Sequence, residues 1–207
     1  MTDDRGDPEL ARWEARFSVP DYVFGKEPNY FLKSCAPLLP ATGKVLAIAD
    51  GEGRNGVWLA ERGLDVLSIE YSDSAREKAK ALAKERNVNA VFERADVHEW
   101  PYPEAAFDVV VDIFTQFSTP PQRATKWAGV RRTLRPGGLL ILQGYTPKQL
   151  QYGTGGPKVV EQLYTRAMLE EAFGDLRNLT IVEEEREMDE GAAHSGMSAV
   201  INLTGWK

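Results

Sequence analysis

The sequence has very little cysteine and histidine, and this scarcity excludes several kinds of site. Cys35 is the single cysteine in 207 residues, so the chain can form neither an internal disulfide nor a cysteine-based metal cluster. The two histidines, His98 and His194, are too far apart in the sequence for metal-ligand spacing. The serine-hydrolase motif G-x-S-x-G is missing as well. We therefore expect no bound metal and no serine nucleophile.

Long apolar runs and an excess of positive charge are also missing. The opening segment MTDDRGDPEL is acidic and polar and has no apolar signal-peptide core. No apolar run approaches the roughly 20 residues that a helix needs to cross a bilayer. The formal net charge of −6 argues against a nucleic-acid partner, because such proteins usually present a basic surface to the phosphates. We expect a cytoplasmic protein with no membrane or nucleic-acid partner.

The chain alternates short apolar segments with amphipathic ones. Strands are predicted at 44–49, 64–69, 90–93, 107–113, 139–144, 180–188 and 197–204, and helices at 8–17, 27–36, 54–62, 74–86, 119–134 and 165–173. Strand–helix alternation is typical of a parallel sheet with helices on both faces. The last two strands have no helix between them and should pair antiparallel. The predicted fold is α/β and Rossmann-like, a mostly parallel seven-stranded sheet with an antiparallel terminal strand.

The predicted elements divide the chain into a cap and a core. We expect a single domain, with residues 1–40 as a helical and aromatic cap and residues 41–207 as the Rossmann-like core. The helix at 8–17 places Leu10, Trp13 and Phe17 on one side. The helix at 74–86 opens with the capping-box spacing of Ser74 and Glu77.

A glycine-rich turn, DGEGRNG at 50–56, follows the first strand of the core. Glycines at 51 and 53 permit a tight turn and close approach of the backbone to a ligand. In open α/β sheets, ligands bind beyond the carboxyl ends of the strands. The candidate cofactor-binding residues of this turn are Asp50, Gly51, Glu52, Gly53, Arg54 and Asn55. The spacing also satisfies G-x-G-x-x-G, so NAD stays an alternative.

Two acidic residues follow the next two strands. Glu70 ends the second strand, where its carboxylate can accept hydrogen bonds from both ribose hydroxyls of NAD or of S-adenosylmethionine. Asp96 follows the third strand, where it can accept from an adenine amine or cap a helix, and the two roles are compatible. The other candidate cofactor-binding residues at these strand ends are Tyr71, Ser72, Val97, Ile113 and Phe114.

Several sequence features together carry a resemblance to a known family. The turn LRPGG at 134–138, together with the glycine turn, Glu70, Asp96 and the antiparallel strands, resembles class I S-adenosylmethionine-dependent methyltransferases across residues 40–206. The segments GRN at 53–55, YVFGKEPN at 22–29 and QLQYGTGGPK at 149–158 are similar to small bacterial TehB-like (tellurite-resistance-type) proteins. The family's usual acid and first glycine are replaced here by Ala47 and Ala49.

The resemblance implies direct in-line methyl transfer from S-adenosylmethionine to a small-molecule acceptor. The acceptor pocket is then expected between the N-terminal aromatic loop, the end of the fourth strand and the loop after the fifth strand. Candidate lining residues are Tyr22, Phe24, Phe114, Tyr145 and Tyr152. We name His194, Tyr22 and Tyr152 as candidate catalytic residues. His194 is either a base or orienting donor at the acceptor, or a surface histidine in a turn.

Two other functions stay open at this point. An NAD(P)-dependent oxidoreductase accounts for the glycine spacing and Glu70, but a catalytic Tyr-x-x-x-Lys pairing is absent, the bare spacing occurring only at Tyr22 and Lys26 in the aromatic loop, and the LRPGG turn counts against it. A non-catalytic nucleotide-binding module accounts for the altered glycine turn, because a fold alone does not fix a function. Residues 146–158 are rich in glycine and proline, which suits either a mobile lid or a plain surface loop.

Overall fold

The computed structural model describes residues 7–207, so the first six residues of the predicted cap lie outside it. The helices are α1 (Pro8–Phe17), α2 (Tyr30–Ser34), α3 (Arg54–Glu61), α4 (Asp73–Glu85), α5 (Pro120–Thr133) and α6 (Arg166–Phe173). The strands are β1 (Lys44–Ile48), β2 (Asp65–Glu70), β3 (Val91–Arg94), β4 (Phe107–Ile113), β5 (Leu134–Tyr145), β6 (Arg177–Asp189) and β7 (Ser195–Trp206). None of the helices within residues 7–207 combines the length and the apolar character needed to span a bilayer.

The seven strands form one sheet in the order β3-β2-β1-β4-β5-β7-β6. The pairs from β3 through β5 are parallel, and β7 runs antiparallel to both β5 and β6. The predicted mostly parallel sheet with an antiparallel terminal strand is therefore confirmed. The chain moves outward from β1 to β3 and then returns to β4, so the strand order reverses beside the carboxyl end of β1. Ligands of open α/β sheets bind at such a switch point.

The central strands are buried on both faces. Successive side chains of a strand point to opposite sides of the sheet. Leu46 and Val110 accordingly pack in one apolar cluster, and Val45 and Val109 pack in a second cluster, all with no solvent exposure. Each fully buried side chain of this size contributes about 1.5–3 kcal/mol. The double burial explains why these strands read as continuous apolar runs in the sequence.

Two predicted helix starts are wrong, and local hydrogen bonds explain both. The second helix begins at Tyr30, because the side chain of Asn29 caps it by accepting from the Leu32 backbone N–H. The N-cap of α4 is Ser72 and not the Ser74 of the predicted capping box, since Ser72 Oγ accepts from the Ala75 N–H at 3.1 Å. The hydroxyl of Ser74 donates instead to Glu14 of α1 at 2.5 Å.

Candidate active site

A cavity of about 640 Å³ lies at the carboxyl ends of β1 to β4, beside the point where the strand order reverses. This volume is in the range of about 300–1,000 Å³ that is typical of small-ligand sites. Helix α1 contributes to one wall of the cavity, and the connection between β6 and β7 contributes to another. The predicted site residues that line it are Asp50, Gly51, Arg54, Asn55, Glu70, Tyr71, Asp96, Val97, Ile113, Phe114 and His194.

The turn after β1 is held in shape by the carboxylate of Asp50. This carboxylate accepts from the Gly56 N–H at 3.1 Å and from Ser68 Oγ at 3.0 Å, and so links the turn to α3 and β2. Ala49 and Gly51 both have left-handed backbones, with φ of 45° and 59°. Burial raises the pKa of Asp50 to about 7, against the hydrogen bonds that favour the ionised form. Because its carboxylate is hydrogen-bonded to Gly56 and Ser68, the main role of Asp50 is to hold the turn in shape.

Glu52 and Gly53 lie outside the cavity, which corrects their assignment as cofactor-binding residues. The Glu52 carboxylate accepts from the backbone N–H groups of Val23 and Phe24 at 3.1 and 3.2 Å, and pairs with Lys78 at 2.8 Å. It fastens the N-terminal segment to the glycine turn. A Cβ at position 53 would lie 2.6 Å from the Cβ of Ala79, so glycine is required there for α3 to approach α4.

Glu70 lines the cavity at the end of β2 and is hydrogen-bonded on both oxygens. One oxygen accepts from the Gly51 N–H and the other from the Ser72 N–H, each at 2.9 Å. Burial raises the pKa of this carboxyl, and the backbone donors oppose that shift. Ser72 does not line the cavity, and its hydroxyl caps α4 instead. Tyr71 lines the cavity and donates to Asp7 at 2.8 Å.

The turn after β3 brings Asp96, Val97 and His98 to the cavity wall. Asp96 accepts from the backbone N–H of His98 at 2.8 Å, and its carboxylate lies 3.1 Å from His98 Nδ1. Asp96 faces the cavity and stabilises a local turn, but residues 97–99 form a turn and not a helix, so it caps no helix, and its role towards adenine stays a prediction. Sequence reasoning gave His98 no role. Its Nε2 lies 2.8 Å from Ser118 Oγ, which connects this turn to the segment after β4.

The far end of the cavity is built from residues of three separate segments. Phe114, with a φ of 57°, stacks on Tyr145 at a centroid distance of 4.6 Å. Arg54 pairs with Glu190 of the β6–β7 connection at 2.8 Å and donates to the Phe24 carbonyl at 3.2 Å. The carboxamide oxygen of Asn55 accepts from a backbone N–H of the N-terminal segment at 2.9 Å. These bonds join the glycine turn to the N-terminal segment and to the β6–β7 connection.

His194 is buried in the cavity wall, with 7% of its surface exposed, so it is not a surface histidine. Its ring lies 4.6 Å from both Phe24 and Phe114. Burial, and then the positive charges of Arg54 and Arg16, lower its pKa to about 3. The imidazole is therefore neutral at physiological pH. Its Nδ1 atom has no hydrogen-bond partner among residues 7–207.

The other two candidate catalytic residues lie outside the cavity. The hydroxyl of Tyr22 donates to the Lys78 carbonyl at 2.9 Å, and its ring packs against an apolar cluster that includes Val57. The hydroxyl of Tyr152 donates to Glu185 of β6, while the part of its loop that reaches the cavity begins at Gly155. Both assignments are corrected for the same reason, because polar partners on the surface of the core hold these hydroxyls away from the cavity.

Sequence reasoning missed the contribution of α1. Trp13, Arg16 and Phe17 line the cavity. The amphipathic pattern of this helix indicates that Trp13 and Phe17 share one side, but it does not indicate that this side faces a cavity. Phe117, in the loop after β4, also lines the cavity and lies 5.8 Å from Trp13, measured between ring centroids. Within residues 7–207, no group of three or more His, Cys, Asp or Glu side chains is placed to hold a metal ion.

Comparison with known proteins places this geometry in a family. Residues 45–138 match the family described as "Methyltransferase domain". Residues 45–138 are a methyltransferase domain. The matched segment contains all of β1 except its first residue, β2 to β4, the glycine turn and Glu70, and it ends at the last residue of LRPGG, which the structure places at the start of β5. The predicted recognition of a class I methyltransferase is thereby confirmed.

A curated relative is named as a methyltransferase, and two solved structures share the fold. The 27-O-demethylrifamycin SV methyltransferase of Amycolatopsis mediterranei is 36% identical over 52% of this chain, and the match spans only 41% of that protein. A solved structure described as showing conversion of a disulfide bond into a thioacetal group during echinomycin biosynthesis superposes with a TM-score of 0.78 at 17% identity, covering 96% of this chain and 91% of that one. TehB from Haemophilus influenzae superposes with a TM-score of 0.67 at 14% identity, covering 96% and 67%.

Proposed function

We propose that the protein transfers a methyl group from S-adenosylmethionine to a small-molecule acceptor. The observation that carries this proposal is the composition of the cavity in a methyltransferase domain. One end carries the Gly51 turn and the Glu70 and Asp96 carboxylates, and the other end is lined by aromatic rings. The end with the Gly51 turn and the carboxylates suits the nucleoside of the cofactor, and the end with the aromatic rings suits an organic acceptor. The small acceptor in the name of the rifamycin relative supports the same class.

The residues at the nucleoside end fit the proposed cofactor. An ionised carboxylate has about four acceptor positions, and Glu70 uses one on each oxygen for a backbone N–H. The remaining positions are available to two ribose hydroxyls. Asp96 is placed to accept from the adenine amine, and Gly51 allows close approach of the backbone. When bound, S-adenosylmethionine supplies an activated methyl group on its sulfonium.

The chain's own residues then have to orient the acceptor and exclude water. Phe24, Phe114 and Tyr145 enclose the acceptor end, which limits access of water to the reacting atoms. We assign His194 to the acceptor as an orienting group. With a pKa of about 3 it is a poor proton acceptor near neutral pH, so it offers a neutral hydrogen bond. Positioning of this kind supplies much of the rate in a transfer between two bound molecules.

Two alternatives are less well supported. Dinucleotide-binding enzymes of the Rossmann type have the strand order 3-2-1-4-5-6, whereas here the antiparallel β7 lies between β5 and β6. A non-catalytic nucleotide-binding module would bind the cofactor and transfer nothing. The expectations of a single domain, a cytoplasmic location and no nucleic-acid partner stay predictions.

The proposal is tested by release of S-adenosylhomocysteine in a screen of small thiols, phenols, chalcogen oxyanions and metabolites. We expect release with at least one acceptor. His194→Ala should lower turnover while the affinity for S-adenosylmethionine stays nearly unchanged, and Tyr22→Phe, outside the cavity, is the control. Cofactor binding without release for any acceptor would favour the non-catalytic module. Unchanged turnover in His194→Ala would remove His194 from the acceptor site.

A further inference from the structure

Resting on the proposed function, we infer that the acceptor is a planar aromatic molecule that carries an anionic group. Its ring lies against the aromatic wall of the cavity, and its anion faces Arg16 of α1 and Lys158 of the loop after β5. A polar substituent on the ring faces His194 and Tyr145. Three independent features of the cavity support this inference.

The first feature is a continuous series of rings across the cavity wall. Successive centroid distances are 5.6 Å for Trp13–Phe17, 6.0 Å for Phe17–Phe24, and 4.6 Å for each of Phe24–His194, His194–Phe114 and Phe114–Tyr145. Trp13, Phe24 and Phe114 are only half-buried, so part of each ring is left uncovered in the cavity. Aromatic rings pack favourably against one another in stacked or edge-to-face arrangements. A planar ligand would extend the series.

The second feature is a pair of cationic side chains on the cavity wall that have no carboxylate partner within residues 7–207. The Asp50, Glu70 and Asp96 carboxylates lie at the strand ends, and each is hydrogen-bonded within the protein. Arg16 and Lys158 line the same cavity, and neither has a carboxylate partner among residues 7–207. An anionic ligand in the cavity would give these two exposed side chains a charged partner.

Arg16 is arranged to receive that anion. Its guanidinium is stacked over Phe24 at 5.1 Å and over Trp13 at 5.6 Å, which holds the planar fork at the cavity wall. A guanidinium so oriented can bind a carboxylate with two parallel hydrogen bonds. Burial and the neighbouring Arg12 lower the pKa of Arg16, and a bound anion would offset both effects.

The third feature is a pair of buried polar atoms without partners. Tyr145 and His194 both line the cavity, with 1% and 7% of their surfaces exposed. The hydroxyl of Tyr145 and Nδ1 of His194 have no hydrogen-bond partner within residues 7–207. Buried polar groups in folded proteins are nearly always paired. A hydroxyl on the acceptor ring would pair with one or both of them.

The test is calorimetric titration with three matched probes in the presence of saturating S-adenosylhomocysteine. 4-Hydroxybenzoate has a ring and a charge, 4-hydroxybenzamide has the ring alone, and trans-4-hydroxycyclohexanecarboxylate has the charge on a saturated ring. We expect 4-hydroxybenzoate to bind about tenfold more tightly than either of the others, which corresponds to about one charge-assisted hydrogen bond. The readout is binding and does not depend on turnover.

Substitutions of Arg16 and Lys158 test whether these two residues cause the preference for 4-hydroxybenzoate. Arg16→Gln and Lys158→Gln should each weaken 4-hydroxybenzoate binding and leave 4-hydroxybenzamide binding unchanged. Arg62→Gln is the matched control, because Arg62 is stacked over Trp58 at 4.8 Å on α3, outside the cavity. If S-adenosylhomocysteine binds but the three probes bind equally or not at all, the inference about the acceptor is overturned and the proposed function is not. Failure of S-adenosylhomocysteine and S-adenosylmethionine to bind would overturn the proposed function, and the inference with it.

Discussion

The buried carboxylates of Asp50 and Glu70 lie at the ends of neighbouring strands, and they differ in the hydrogen-bond acceptor positions that they leave free for a ligand. Asp50 is bonded to Gly56 and Ser68 inside the turn, so its main effect is on the shape of the protein. Glu70 is bonded only to backbone N–H groups and keeps acceptor positions at the cavity. Substitution of the two residues should therefore separate stability from cofactor binding.

Glu70→Gln should weaken S-adenosylmethionine binding about tenfold, because it removes a charged acceptor whose hydrogen bonds contribute about 1.5–3 kcal/mol each. Glu70→Ala should weaken binding further, and it also leaves the Gly51 and Ser72 N–H groups without their acceptor. Calorimetric titration measures both affinities, with circular dichroism as the folding control. Glu77→Gln, at an exposed site on α4, is the matched variant. Equal affinities in folded proteins would show that something else holds the ribose.

Asp50 should make stability depend on pH. Burial raises its pKa from 3.8 to about 7, so between these values the native state keeps a proton that the unfolded chain has released. Its contribution to the free energy of unfolding is therefore greatest at low pH and is lost as the pH rises towards about 7. The asparagine side chain of Asp50→Asn does not ionise, so the variant lacks this pH dependence of stability.

The stability of Asp50→Asn relative to the original protein should thus rise by about 2 kcal/mol between about pH 5 and about pH 8. Chemical denaturation at the two pH values measures this difference. Asp65→Asn, at the exposed start of β2, controls for charge. A relative stability that does not change with pH would show that Asp50 titrates normally.

At the scale of elements, α1 is a wall of the cavity, and Glu14 is one of the side chains that attach it to the core. The Glu14 carboxylate accepts from the backbone N–H groups of Asp73 and Ser74 and from the Ser74 hydroxyl, all at the start of α4. Carboxylates at a helix N-terminus also interact favourably with the helix dipole. Because α1 brings Trp13 and Arg16 to the cavity, this attachment controls the shape of the acceptor end.

Glu14→Ala should loosen α1 without unfolding the sheet. Losing a contact of this kind costs about 1 kcal/mol. We expect faster amide hydrogen exchange in α1, unchanged exchange in β1 and β4, and weaker 4-hydroxybenzoate binding. Glu171→Ala, an exposed carboxylate on α6, is the control. Exchange in α1 that matches the original protein would contradict the proposed attachment.

The elements were predictable to different degrees for physical reasons. The bounds of β4 follow directly from its apolar run, because a strand buried on both faces has a sharp hydrophobic signal. The start of α4 was wrong because Ser72 and Ser74 are both good capping residues, and the contact between Ser74 and Glu14 decides between them. That contact joins segments 60 residues apart and leaves no local pattern.

At the scale of the whole molecule, the strand ends and part of the acceptor end were predictable, since Phe24, Phe114, Tyr145 and His194 all line the cavity, whereas the contribution of α1 was not. Glu70 and Asp96 follow strands, and the topology of a parallel sheet brings such positions together. Phe24 and His194 come from opposite ends of the chain, and only the folded structure shows that their rings lie 4.6 Å apart. Tyr22 and Tyr152 lie in the segments expected to form the acceptor pocket, but the position of a segment does not determine where a side chain points, and their hydroxyls bond to Lys78 and Glu185 instead.

The measurement that tests the central claim most directly is the thermal unfolding of the protein with S-adenosylmethionine and, separately, with NAD. Ligand at about 100 times its Kd stabilises the native state by about 2.7 kcal/mol. We expect S-adenosylmethionine to raise the Tm, Glu70→Gln to reduce that rise at the same ligand concentration, and NAD to leave the Tm unchanged. A rise with NAD and none with S-adenosylmethionine would contradict the account.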